Sequence, residues 1–304
     1  MTELWEELSA TCEPMEPSTP TPRLCRLGDL LGEWQADAEA AHAALQTGQP
    51  RGPITGLPAL DRELGGALWP GMHILHGQPG AGKTAFVLQV AACCGCPCLY
   101  VTCEMAPLEL LRRIAARVTT TFLGKFKTGE LLPADSLEKA RAAAQAAPHL
   151  TLADATQVYA APRWIATQAR LCKGEARHLL VIVDSLHSWA DAEPTPGTEY
   201  DKLNWALAEL KKLAAMLEGP VLAVAERNRA SMGQGGLSAG AGTRKIEYGA
   251  ETVLDLGRDE KVNPDAGGEV PVSVKLAKNR HGAPGRIIEL TFHGALQRFK
   301  EELG

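Results

Sequence analysis

The sequence predicts an α/β domain with a mainly parallel central sheet and an antiparallel extension at its C-terminal end. Three observations carry this. Short apolar runs alternate with helical stretches from about residue 72 to residue 225. A glycine-rich turn, Gly77 to Thr84, joins one of these runs directly to a helix. The last three apolar runs follow one another with no helical stretch between them, which suits antiparallel hairpins.

Residues 1–26 carry Pro14, Pro17, Pro20 and Pro22 among Ser and Thr and read as a flexible lead. Leu30, Leu31, Trp34, Ala38, Ala41 and Leu45 then recur at helical spacing, and Gly48, Pro50, Gly52 and Pro53 end that helix. Its stripe packs either on its own domain or on a neighbouring subunit. Residues 1–50 are therefore expected to be a flexible segment plus a linker or docking helix, and 51–304 the main domain. Within that domain strands are expected at 72–76, 98–102, 149–153, 178–184 and 220–225, with helices at 83–94, 107–118, 162–172 and 200–217 between them. The closing runs are 252–256, 270–277 and 286–292.

Composition narrows the function. Apolar residues make up 45% and charged residues 22% of 304, the balance of a globular chain. Aromatics are only 5%, so the core must come mainly from Ala, Leu, Val and Ile. A net charge of −5 argues against coating nucleic acid through bulk positive charge, though not against a grip by a few local cations. No apolar run reaches membrane-spanning length. The acidic start, Met1-Thr2-Glu3-Leu4-Trp5-Glu6-Glu7, does not resemble a secretory signal. Eight cysteines, five of them between Cys93 and Cys103, lack the two-pair spacing of a structural zinc site and read as small apolar core residues. Free thiols suit the cytoplasm.

The chemistry starts at Gly77-Gln78-Pro79-Gly80-Ala81-Gly82-Lys83-Thr84, a complete G-x-x-x-x-G-K-[ST] phosphate loop between a strand and a helix. Glycines let successive backbone N–H groups face phosphate oxygens, and the helix start adds partial positive charge. Lys83 should reach the terminal phosphates of ATP, and Thr84 should ligate Mg²⁺. Leu179-Leu180-Val181-Ile182-Val183-Asp184 is an apolar strand ending in a carboxylate, which places Asp184 as the second Mg²⁺ residue. Glu104 ends the strand after the phosphate-loop helix. There it is either a base for water attacking the γ-phosphate or an ordinary glutamate at a helix start.

Together these segments resemble the ATPase domain of the DnaB family of hexameric replicative helicases, within the RecA-like group. Thr102-Cys103-Glu104-Met105 is similar to that family's Ser-Leu-Glu-Met, which carries its catalytic Glu. Phe126-Lys127-Thr128-Gly129 resembles Leu-Arg-Thr-Gly, Ala225-Glu226-Arg227-Asn228-Arg229 resembles Ser-Gln-Leu-Asn-Arg, and Lys278-Asn279-Arg280-His281-Gly282 resembles Lys-Gln-Arg-Asn-Gly. The stretch ending Gly257-Arg258-Asp259-Glu260 resembles Tyr-Arg-Asp-Glu. The resemblance implies a RecA-like fold, an ATP-driven ring acting on single-stranded DNA in replication, and a homo-oligomer, hexameric in that family. A primase or primase-polymerase is a candidate partner. It also implies that Lys278 and Arg280 reach into the next subunit's nucleotide site. Glu226 stands where the family senses the γ-phosphate with a Gln, and a carboxylate there should repel phosphate unless it is paired.

Single-stranded DNA would be held by two loops, residues 188–198 and 229–245. The second is glycine-rich and contributes Arg229, Gly242, Thr243, Arg244 and Lys245. The first has Trp189 as its one aromatic, so base stacking should not dominate. Three departures keep other readings open. The stretch ahead of the docking helix is expected to be too short for that family's N-terminal helical domain, and no primase is expected after the main domain. Asp184-Ser185-Leu186-His187 and Leu64-Gly65-Gly66 resemble the RadA and KaiC branches. The Glu226 change suits a nucleotide-gated assembly or loading factor. The alternatives are thus a RadA-like recombination ATPase and a loading factor without unwinding activity.

Overall fold

The computed structural model describes residues 24–226, 249–259 and 262–302. The chain divides into two units, Met1–Gln49 and Pro50–Gly304. In the first, a 3₁₀ turn, Leu27–Leu30, runs into helix α1, Leu31–Thr47, which stops at Gly48 in the left-handed conformation (φ 66°) that favours glycine. Leu31, Trp34 and Leu45 of α1 are exposed.

The second unit opens with α2, Pro58–Glu63, and β1, Gly71–Gly77. Then come α3, Lys83–Cys93; β2, Cys98–Thr102; α4, Pro107–Val118; α5, Lys125–Thr128; α6, Pro133–Ala146; and β3, Leu150–Asp154. Next are α7, Pro162–Lys173; β4, Leu180–Asp184; α8, Leu186–Asp191; α9, Glu199–Leu217; and β5, Pro220–Glu226. Four strands close the unit: β6, Thr252–Arg258; β7, Glu269–Asn279; β8, Ile287–His293; and β9, Arg298–Glu301. Helices α2, α4, α6 and α7 each begin on a proline, whose missing N–H is one the first turn leaves unpaired anyway.

The strands form one sheet in the order β3-β2-β4-β5-β1-β6-β7-β8-β9. Pairing is parallel from β3 to β6 and antiparallel from β6 to β9. The first of the closing runs, β6, therefore belongs to the parallel part, with His73 opposite Thr252, and the antiparallel extension starts one strand later than the sequence suggests. Every residue of β2 and β4 is buried because helices cover both faces, which is why these strands read as unbroken apolar runs. One face packs Phe86, Leu110 and Ile114 of α3 and α4; the other packs Ile165, Trp189 and Leu210 of α7, α8 and α9. Trp189 corrects the expectation for its loop. It lies in a helix, is buried, donates its indole N–H to the Ala160 carbonyl at 2.8 Å and packs on Trp205. It is not available to a nucleobase. Cys94 and Cys98 are buried, as small apolar side chains would be. No helix among the described residues is long and apolar enough to cross a membrane.

The antiparallel extension is fastened to the phosphate-loop helix. Phe299 of β9 stacks on Phe292 of β8 (centroids 4.3 Å apart) and meets Phe86 of α3 edge-on at 5.3 Å. Gln89, one turn further along α3, donates its side-chain amide to the Phe299 carbonyl at 3.0 Å and accepts the Phe299 N–H at 2.9 Å. The amide thus satisfies the outward polar groups of an edge strand that is itself covered. Gln89→Leu keeps the volume but strands one donor and one acceptor. It should lower unfolding stability by about 2 kcal/mol in urea titration, against a few tenths for a change on the exposed face of α1.

Candidate active site

The parallel strands deliver their functional groups to one edge. In register, Gly77 stands opposite Glu226 and Thr102 opposite Asp184. Beyond the last rung, the Cys103 N–H donates to the Asp184 carbonyl at 2.7 Å, so Glu104 emerges beside Ser185. This carboxyl edge is where an open α/β sheet holds its ligands.

Gly77-Gln78-Pro79-Gly80-Ala81-Gly82 curl from β1 into α3, with Gly80 and Gly82 at φ 80° and 95°. A Cβ at Gly77 would lie 3.0 Å from the Leu256 carbonyl and 3.2 Å from Lys83 Cγ, so the strand end has no room for a side chain. Lys83 Nζ donates to the carbonyls of Gly77 (3.0 Å) and Gln78 (3.1 Å), which holds it inside the curl. Burial lowers the Lys83 pKa, while the charges of Glu226, Asp184 and Glu104 pull it back up. Those three carboxylates therefore surround the ammonium within electrostatic reach.

Asp184 is buried at the end of β4 and accepts the Tyr100 hydroxyl at 2.6 Å, and the Thr84 hydroxyl lies close enough to influence it as well. Burial raises its pKa against the lowering effect of those two donors. Thr84 and Asp184 thus offer a hydroxyl and a carboxylate at one point, the hard-oxygen set that Mg²⁺ takes together with phosphate oxygens. Glu104 is exposed, and its Oε1 accepts from the hydroxyls of Ser185 and Ser188, the latter at 2.8 Å. Its neighbour Cys103 has its thiol pushed up to about 12 by burial and the nearby Asp184 and Glu104 charges. Glu226 is exposed at the end of β5, and its backbone N–H meets His187 Nδ1 at 3.4 Å.

Lys278 and Arg280 do not join this edge. Asn279 pairs with Thr252, and Thr252 with His73, at the start of β1. The phosphate loop leaves β1 at Gly77, four residues further on, about 13 Å at strand rise. Arg280 Nη1 instead reaches Glu251 Oε1 at 2.8 Å, and its backbone N–H donates to the Glu251 carbonyl at 3.1 Å. Glu251 comes so close to the start of β1 that a Cβ on Gly71 would lie 2.3 Å from its Cγ. Arg229, Gly242, Thr243, Arg244 and Lys245 lie outside the described residues. The other expected DNA segment, 188–198, begins inside helix α8 rather than as a free loop.

A cavity of about 400 Å³ adjoins the phosphate loop, lined among others by Phe122, Arg258, Asp265, Phe292 and His293. Arg258 Nη1 lies 3.5 Å from the Gly80 carbonyl, and Phe292 touches the turn at Gly82. Apolar rings, a cation and a carboxylate beside a phosphate cradle suit the base and sugar of a nucleotide. The sequence gives no hint of this cavity beyond the Gly257-Arg258-Asp259 stretch, because its walls come from distant segments.

A model of the DnaB-like helicase C-terminal domain matches residues 52–301. The chain belongs to that family. The replicative helicase DnaB of Geobacillus stearothermophilus is 24% identical over 288 residues, covering 89% of this chain and 61% of that protein. The DnaB of Pasteurella multocida is 26% identical over 264 residues, 82% of this chain and 55% of that one. This chain therefore spans little more than half the length of these curated DnaB relatives. The DNA repair protein RadA of Haemophilus influenzae is 34% identical over 139 residues, only 44% of this chain. Among solved structures, an isolated ATPase domain superposes with a TM-score of 0.76 at 20% identity over 91% of this chain and all of that one. A DnaB-like replicative helicase, described with its primase interactions, gives 0.74 at 21% identity over 99% of this chain and 71% of that one. The RecA-like fold of the DnaB ATPase domain is thereby shared.

Tyr100 is the direct support of Asp184 in this family member. Tyr100→Phe removes a donor to the charged carboxylate and so raises the Asp184 pKa further. Because burial already holds that pKa above 3.8, the folded chain binds this proton more tightly than the unfolded chain. The group's contribution to stability is full below 3.8 and is lost as pH rises through the folded value. Mg²⁺ needs the charged form. The acidic limb of Mg²⁺ binding should therefore move to higher pH in the variant, as read from Mg²⁺ titrations at a series of pH values.

Proposed function

We propose that this chain is the ATP-hydrolysing motor of a ring-forming helicase or translocase that moves on single-stranded DNA in replication. The observation that carries the reading is the division of its charged groups. Lys83, Thr84, Asp184 and Glu104 meet at one sheet edge, while the strand register holds Arg280 and Lys278 at the other end of β1. A site completed by a neighbouring subunit's Arg280 accounts for both facts. In this reading Lys83 and the N–H groups of the loop bind the phosphates, Glu104 takes the proton of the attacking water, and Glu226 faces the γ-phosphate. Mg²⁺ held by Thr84 and Asp184 supplies charge neutralisation on the phosphate oxygens. Arg280, with Lys278 beside it, stabilises the transferring phosphoryl from across the interface. Helix α1, with Leu31, Trp34 and Leu45 exposed, docks on a neighbour. A hexamer, a cytoplasmic location and a primase or primase-polymerase partner belong to the same reading.

A second reading rests on Glu226. A carboxylate opposite Gly77, within reach of Lys83, suits a nucleotide-gated assembly factor that hydrolyses ATP without unwinding. Strand displacement on a forked duplex, measured alongside ATPase, tests the proposal. Unwinding supports the helicase, and ATPase with no displacement or translocation supports the assembly factor.

Two further outcomes are expected. A Lys83→Ala ring should be inactive, and an Arg280→Ala ring should bind ATP but turn it over about 10³-fold more slowly. Mixing the two creates interfaces with both residues intact. ATPase should rise above the sum of the separate variants, whereas an Arg280 acting within its own chain gives no rescue. Arg244→Ala with Lys245→Ala should weaken single-stranded DNA binding and reduce the salt slope of log K by about 1.4, as followed by fluorescence anisotropy across salt concentrations.

A further inference from the structure

We propose that Ser185 and Ser188 are positioning residues for Glu104: they tie one oxygen of its carboxylate and leave the other open to water. This rests on the reading of Glu104 as the base. The hydroxyls of Ser185 and Ser188 both donate to Glu104 Oε1, and among the described residues Oε2 accepts no hydrogen bond. The two serines are themselves fixed. Ser185 is 3% exposed and caps helix α8 by accepting the Ser188 N–H at 3.4 Å. Leu186, Trp189 and Ala190 bury α8 against the sheet. The 2.7 Å bond from Cys103 N–H to the Asp184 carbonyl joins the strand ends that carry the base and its clamp.

The chemistry requires something of this kind. Glu104 is exposed, and an exposed glutamate spreads over many rotamers. A base works only when a lone pair points at the proton it removes. Two donors on Oε1 restrict rotation of the carboxylate and leave Oε2 without a hydrogen bond among the described residues. The same six-residue helix carries His187, which meets the Glu226 N–H.

The test is steady-state ATPase of the full chain with Mg²⁺-ATP for Ser188→Ala, Ser188→Thr, Glu104→Gln and the Glu104→Gln/Ser188→Ala pair. Ser188→Ala should lower kcat about tenfold with KM within about twofold, since a lost hydrogen bond to a charged group changes turnover and not phosphate binding. Ser188→Thr keeps the hydroxyl and should restore most of the rate. In the Glu104→Gln background Ser188→Ala should cause no further loss, because the clamp then has no base to aim. An equal loss in both backgrounds, or a change confined to KM, overturns the clamp. Inactive Glu104→Gln with fully active Ser188→Ala removes the clamp alone. Hydrolysis that survives Glu104→Gln removes the base assignment and the clamp with it.

Discussion

The phosphate loop turns where no side chain fits. A Cβ at Gly82 would lie 3.1 Å from ring carbons of both Phe292 and Phe299, and φ there is 95°. The turn is therefore shaped from two sides, by its own left-handed backbone and by the aromatic wall of the last two strands. Phe86 and Gln89 fasten that wall to α3, the helix the turn begins. Cradle, helix and C-terminal strands form one closed packing unit, and the cavity beside Phe292 and His293 is a by-product of the same wall.

Charge makes the second demand. Three carboxylates influence Lys83, yet burial still leaves its pKa below the ordinary value. An ammonium in that position gains from any further negative group that enters, while Asp184 and Glu104 lose unless a cation accompanies it. The site is thus built for an anion and a cation arriving together. The hydroxyls of Tyr100, Thr84, Ser185 and Ser188 distribute the carboxylates between two tasks. Asp184 is buried and bonded to Tyr100 with Thr84 nearby; Glu104 is exposed and held by one oxygen.

Much of this was legible in the sequence, for definite reasons. Strands β2 and β4 are buried on both faces and so appear as apolar runs. The phosphate loop must be glycine wherever the backbone turns left or meets Lys83. Glu104 and Asp184 were legible because each closes an apolar strand-like run, and the pairing of Thr102 with Asp184 then sets those two strand ends side by side. Helix α6 escaped notice because its alanine-rich sequence buries only Ala143 and so carries no stripe. Helix α8 is too short for periodicity, and with it went Ser188 and the burial of Trp189. Placing β6 beside β1 is a long-range event that local pattern does not encode. The partnership of Arg280 with Glu251, and the walls of the cavity, join segments far apart in the chain for the same reason.

Gly71 is remote from the phosphate loop and holds no functional group. It nevertheless leaves the space through which Glu251 passes to reach Arg280. A side chain at 71 would push that carboxylate aside and release the guanidinium. In a ring with shared sites, the resulting defect falls on the neighbour, whose own sequence is intact. On the shared-site reading we propose, such a lesion would be dominant in the genetic sense. In a cell making both forms of the protein, a minority of altered subunits would silence active sites belonging to normal ones, and the harm would grow with mixing rather than dilute with it.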